Sequence, residues 1–225
     1  MTDPIRSEQK SANWTRVLAG AMFVIVISGF FAYLMRDTAK PAEPPASSTI
    51  ADFDSFDRSG SGGTLGETVG QRVWSTRAGA WDITNGVAHP VDAKAVSNFA
   101  TVDIGANASI SVSTTGQATC GVVSTFVDLS NFVALERNDL RGEWDILLVR
   151  DGETTVIGAV PGVSPNNNRV TLLINPPIVS AISGNNRISF AVENLPGGTQ
   201  AGIYATGASA SLCTFDDVSL LTPVD

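Results

Sequence analysis

The residues able to do chemistry in this 225-residue chain are few, and their types narrow the choices quickly. Cys120 and Cys213 are the only cysteines and His89 is the only histidine. Two thiols and one imidazole fall short of a sound zinc ligand set. His89 would have to serve any Ser–His or Cys–His mechanism, yet it sits in Val87-Ala88-His89-Pro90, which reads as a surface turn, and no G-x-S-x-G elbow surrounds any serine. In an oxidising compartment an isolated cysteine pair reads as a disulfide, here closing a loop worth roughly 4 kcal/mol in the chain-entropy model. Two separate buried thiols behaving as small hydrophobes are the alternative, because strand adjacency is not written in a sequence. Asp52, Asp54 and Asp57 near one end of the domain, with Asp216 and Asp217 near the other, are candidates to share a structural Ca²⁺, since hard cations want clustered oxygens. Phe53 and Phe56 interleave with them and no EF-type loop is present. The glycine-rich stretch Ser59–Gly70 lacks both the lysine and the spacing of a phosphate cradle, so it reads as a flexible connection.

These residues must be positioned by two very different kinds of segment. Val17–Met35 runs nineteen residues without a charge, bounded by Arg16 and Arg36. At a helical rise of about 1.5 Å per residue it spans roughly 28 Å, one bilayer core, where only a helix satisfies its own backbone. Trp14 and Tyr33 lie near its ends, as interfacial rings do. The run is longer than a signal-peptide h-region and lacks a good small-x-small cleavage site, so we expect an uncleaved anchor in the lipid. Arg6, Lys10 and Arg16 precede it and Arg36 and Lys40 follow, which places the N-terminal tail (1–16) in the cytoplasm and the rest outside it, in the periplasm or at the cell surface. Residues 36–50, with Pro41, Pro44 and Pro45, read as a semi-rigid linker.

From residue 51 to 225 the texture changes to short apolar, often β-branched runs punctuated by Gly, Asn, Asp and Pro, with no helical stripe. Strands are expected at Ser109–Val112, Thr119–Val127, Asn131–Glu136, Glu143–Arg150, Thr154–Val160, Arg169–Ile174, Arg187–Val192, Gly202–Ala205 and Leu212–Leu221. Turn chemistry separates the apolar runs at Asn85-Gly86, Asp151-Gly152, Gly184-Asn185-Asn186 and Pro196-Gly197-Gly198. This pattern predicts an all-β, antiparallel two-sheet sandwich preceded by one transmembrane helix. Trp74, Trp81, Phe56 and Phe215 are expected to close the two sheets over a shared core. The domain after residue 50 holds nine basic and eighteen acidic residues, a formal charge of −9, with no basic cluster. That charge excludes nucleic acid as a partner.

Several stretches then resemble the laminin-G-like, concanavalin A-like lectin/glucanase superfamily of jelly-roll sandwiches. They are Asp54-Ser55-Phe56-Asp57-Arg58, then Trp74 followed by Gly79-x-Trp81-x-Ile83-x-Asn85-Gly86. The pair Gly121-Val122-Val123 and Asp128-Leu129-Ser130-Asn131-Phe132 and the closing strand Phe215-Asp216-Asp217-Val218 complete the likeness. It covers residues 54–221, and its motifs are structural ones. Glucanase members carry an E-x-D-x-x-E strand whose glutamates act as nucleophile and acid/base. Glu143-Trp144-Asp145 begins that way, but Leu148 stands where the second glutamate would be, so no hydrolase activity is expected.

The resemblance implies a non-catalytic recognition module for carbohydrate or cell-surface ligands, with Trp144 and Tyr204 as the aromatic side chains left over to meet a sugar. No cofactor is implied beyond the candidate structural Ca²⁺. The competing expectation is an accessory subunit that docks on proteins of a membrane complex through the sandwich and the helix. Ala19, Gly20, Ala21, Ser28 and Gly29 would permit close helix contact, without forming a GxxxG pair.

Overall fold

The computed structural model describes residues 48–59, 63–91, 97–116, 119–164, 168–207 and 210–223. The chain divides into two compact units, Met1–Thr38 and Ala39–Asp225. The first, with the expected tail and span Val17–Met35, lies outside the described residues. Among the described residues no helix is long and apolar enough to cross a membrane.

The described residues form β1 (Ser48–Asp54), β2 (Ser75–Ala78), β3 (Trp81–Thr84), β4 (Val87–Pro90), β5 (Ser97–Asp103), β6 (Ser109–Thr115), β7 (Thr119–Asp128), β8 (Asn131–Asn138), β9 (Glu143–Arg150), β10 (Glu153–Pro161), β11 (Asn168–Asn175), β12 (Ile178–Ser183), β13 (Asn186–Ala191), β14 (Gln200–Thr206) and β15 (Thr214–Pro223). They build two antiparallel sheets. One runs β13-β12-β11-β6-β15-β4-β3, with β1 also pairing β15; the other runs β10-β9-β8-β7-β14-β5-β2. The expected all-β sandwich is therefore the observed architecture.

Period-two alternation makes the core. Along β9, Trp144, Ile146 and Leu148 point between the sheets and share one buried core with Ile110, Val112, Val170 and Leu172 of the opposite layer. Phe56, Trp74, Trp81 and Phe215 are all buried, packing as Phe56–Trp74 (5.8 Å between centroids) and Trp81–Phe215 (5.7 Å). They close the sandwich as expected. Asn85 and Gly86 both take positive φ (54° and 77°), the signature of a two-residue type I′ hairpin, and join β3 to β4.

Three local expectations change. His89 is not in a turn: it lies in β4 opposite Asp82, with its Nε2 3.0 Å from Thr84 Oγ1. The linker ends earlier than residue 50, because β-branched Thr49 and Ile50 pair with Thr222 and Leu221 as part of β1. Leu212 belongs to a short 3-10 turn (Ala210–Leu212) that precedes β15.

Candidate functional site

The structure joins the two cysteines. Cys120 near the start of β7 and Cys213 just before β15 form a disulfide with Cα atoms 5.7 Å apart, each residue fully buried. The bond ties one sheet to the other.

Trp144 and Tyr204 do not present rings to a ligand. Trp144 is 0% exposed, because the alternation that turns Glu143 and Asp145 outward turns Trp144 into the core. Tyr204 does stand on the outer face of the seven-stranded sheet, yet it is only 2% exposed. Its ring stacks on Phe99 (5.0 Å), and Phe99 also meets Phe126 and Phe132, forming a second apolar cluster on that face. Gly121 makes this possible: a Cβ there would lie 2.4 Å from Tyr204 Cε1.

A polar group borders that cluster. Tyr204 Oη donates to Glu136 Oε2 (2.9 Å); Glu136 pairs across strands with Asp145, whose carboxylate accepts from Asn138 Nδ2 (2.8 Å) and Arg141 Nη2. Arg141 Nε also reaches Glu143 (2.8 Å). Burial pushes the Glu136 carboxyl above its ordinary 4.5; the Tyr204 hydrogen bond opposes this and the Asp145 charge adds to it. Burial, followed by the nearby Glu136, holds the Tyr204 phenol well above its usual range. β9 runs in regular register, so its outward residues are Glu143, Asp145, Leu147 and Val149, while Leu148 faces the core. Leucine thus occupies the next outward position beyond Asp145, and the strand has no second glutamate.

The raised Glu136 carboxyl makes a stability prediction. A group whose folded pKa exceeds its unfolded value favours the fold below the unfolded pKa and loses that contribution as pH rises through the folded one. Stability should therefore decline as pH climbs from about 4.5 through the raised Glu136 value. Glu136→Gln keeps an acceptor for Tyr204 and removes the charge. It should flatten that decline and melt higher than the parent at pH 7, as read by thermal denaturation across pH.

The expected Ca²⁺ set comes apart. Asp54 lies on the buried side of β1, where Oδ1 accepts from Arg58 Nη1 (2.6 Å) and the Phe56 N–H (2.9 Å). Its Oδ2 accepts from Arg58 Nη2 (2.8 Å) and Trp74 Nε1 (2.7 Å), so both oxygens are engaged. Asp52 is likewise held by the N–H groups of Phe53 and Gly70 and by Thr68 Oγ1. Asp216 and Asp217 sit on β15, close enough to Asp57 that its charge acts on Asp216. Among the described residues no three His, Cys, Asp or Glu side chains converge as a metal site would need.

A different site appears on the outer face of the eight-stranded sheet. A cavity of about 340 Å³ is lined by Ile50, Phe53, Asp54, Ser55, Arg169, Asp217, Val218 and Ser219. Two irregularities shape it. A register shift between Ile50 and Asp52 puts Ile50 opposite Leu221 and Phe53 opposite Ser219, so both apolar side chains face outward. On β15 a second shift lies between Asp216 and Ser219, with Asp217 at φ 49°. Such bulges re-aim side chains.

Arg169, from β11, lies across this face. Its Nε donates to Ser111 Oγ (2.9 Å), Nη1 to the Asp217 carbonyl (2.6 Å) and Nη2 to Ser219 Oγ (3.0 Å), with Ser113 Oγ 3.4 Å from Nη1. Among the described residues no carboxylate ion-pairs with it. Phe53 is 48% exposed, and it is the one exposed aromatic ring among the described residues. The site therefore combines an exposed aromatic ring, a fixed guanidinium, hydroxyls and an aspartate. Sequence reasoning passed over it because Phe53 lay among the aspartates read as a metal set.

No family profile matches the chain, and no curated protein sequence does. Solved structures do. The sandwich is similar to the carbohydrate-binding module CBM66 from Bacillus subtilis, at 12% identity over 66% of this chain and 95% of that one, with a TM-score of 0.55. It is similar to domain 4 of AbnA, a GH43 extracellular arabinanase from Geobacillus stearothermophilus solved with arabinotriose, at 9% identity over 78% of this chain and 93% of that one, TM-score 0.52. A variant of the GH43 protein BlXynB from Bacillus licheniformis matches at 13% identity and TM-score 0.54, over 80% of this chain but 40% of that one. At these identities the likeness is one of fold alone, an antiparallel β-sandwich.

Proposed function

We propose that the sandwich is a non-catalytic carbohydrate-recognition domain, held outside the cytoplasm by the Val17–Met35 anchor, and that its ligand sits in the Phe53–Arg169 cavity. One observation carries the reading: the single exposed aromatic ring among the described residues lines the same cavity as a fixed guanidinium, a serine hydroxyl and a carboxylate. A sugar ring has an apolar C–H face that packs on an aromatic side chain and a rim of hydroxyls that both donate and accept. Asp217 offers the acceptor, while Ser219 and Arg169 offer polar contacts around it. The cavity volume lies at the small end of ligand sites. The similarly folded carbohydrate-binding module and arabinotriose-bound domain support this reading.

The test is a glycan array with the detergent-solubilised full chain, followed by calorimetry on any sugar that binds. Phe53→Ala should weaken binding about tenfold, the equivalent of about 1.4 kcal/mol, while leaving the melting temperature nearly unchanged because the ring is half exposed. Unaltered affinity in that variant sinks the site. Membrane proteins co-purifying in fixed proportion, with no sugar bound, would favour the accessory-subunit reading instead. Anchoring is checked separately: the chain should resist alkaline extraction from membranes, and deletion of residues 1–35 should release it.

A further inference from the structure

We infer that the Phe53–Arg169 cavity selects uncharged sugars and rejects acidic ones such as hexuronic acids; the inference rests on the carbohydrate reading above and names the ligand class within it. An arginine at a cavity wall would ordinarily suggest an anionic ligand. Here the surroundings argue the other way. The guanidinium lies along the sheet, where Nε donates to Ser111 Oγ, Nη2 to Ser219 Oγ and Nη1 to the Asp217 carbonyl. With three of its five N–H groups taken, and Ser113 Oγ 3.4 Å from Nη1, this guanidinium offers a ligand carboxylate fewer free donors than an open arginine would.

The carboxylates outnumber this cation locally. Asp217 lines the cavity and is exposed. Asp216 is next to it, and its own carboxyl is pushed up by burial; the Asp217 N–H opposes this, the charges of Asp217 and Asp57 add to it, and Arg169 acts in the opposite sense. These groups therefore feel one another. A further negative charge brought to the cavity would meet at least two carboxylates and one engaged guanidinium, on a domain whose formal charge is −9. A neutral hexose meets none of this repulsion, and Asp217 can accept from one of its hydroxyls.

The backbone makes the point testable by a small change. Asp217 sits at φ 49°, a conformation that asparagine tolerates as well as aspartate does. Asp216 Oδ1 accepts the Asp217 N–H (2.7 Å), a bond that an asparagine side-chain oxygen can keep. The double variant Asp216→Asn, Asp217→Asn thus removes charge while leaving the bulge in place.

The experiment uses the full chain in detergent, with methyl glycosides of the gluco, galacto and manno series and the matching methyl hexuronides, at low and at 1 M salt. The parent should bind at least one neutral glycoside and its uronide at least about tenfold more weakly, a gap that shrinks at high salt as charges are screened. In the double variant the gap should close at either salt, with the melting temperature close to the parent's. Uronides binding as tightly as or more tightly than their neutral partners would overturn the inference and leave carbohydrate recognition standing. A selectivity unchanged in the double variant would also overturn it. Failure of every glycoside, neutral and acidic, in a folded parent would take down the recognition reading together with this one.

Discussion

Replacing Cys120 and Cys213 together with alanine should lower the melting temperature of the sandwich by about 8–16 °C, from roughly 4 kcal/mol of lost stability at about 2–4 °C per kcal/mol for a domain of this size. The two residues are 93 apart in sequence and come from opposite layers, so the bond removes long-range freedom from the unfolded chain. Both sulfurs lie in the interior between well-packed neighbours, so the alanines also leave unfilled volume. Differential scanning calorimetry of parent and variant measures the shift. A matching experiment adds reductant: the parent should fall toward the variant, and the variant should not move. A melting temperature within about 2 °C of the parent would show that the unfolded chain gains little freedom from losing the bond.

Trp144→Ala should cost about 3–5 kcal/mol, the range for truncating a large buried aromatic side chain. Trp144 is 0% exposed and packs within the core that the two sheets share, so the loss is one of stability, read by denaturant unfolding. Trp144→Phe should recover part of it by refilling some of the volume. If sugar binding falls in the alanine variant, it should do so only in proportion to the fraction unfolded, and it should return under conditions that refold the protein. Phe53→Ala should behave in the opposite way, with affinity lost and stability kept. A Trp144→Ala protein of parental stability that no longer binds sugar would return the ligand to that tryptophan and dismiss the Phe53 cavity.

The contrast between these two rings shows where local sequence stops being informative. Glu143-Trp144-Asp145-Ile146-Leu147-Leu148 can be recognised as a strand, but which of its two faces is interior depends on the register with β8 and β10. Tyr204 is outward-facing and still covered, because Phe99, Phe126 and Phe132 arrive beside it from β5, β7 and β8. Those residues are distant in sequence, and no local pattern announces their meeting. Likewise the aspartates that composition groups together are parted by the pleat: Asp54 turns inward to Arg58 and Trp74, and Asp217 turns outward on a bulge.

What the amino-acid sequence determined by itself was the kind of object. Alternating short apolar runs, paired turn residues at Asn85-Gly86 and Asp151-Gly152, and four large rings near the two ends of the domain specify an antiparallel sandwich and most of its core. These are local or compositional properties, legible because strand periodicity and turn geometry depend on near neighbours. The smaller strands were less legible: β12 follows Pro176-Pro177 and has no charged flank, while β2 to β4 are four residues each. Tertiary structure bore out the expected Cys120–Cys213 bond by bringing the two layers together, and it alone decided the outward turn of Phe53. It also laid Arg169 over Ser111 and Ser219. Each depends on register between strands up to a hundred or more residues apart, and a shift of one residue, such as the bulge after Ile50, exchanges the faces of every side chain beyond it.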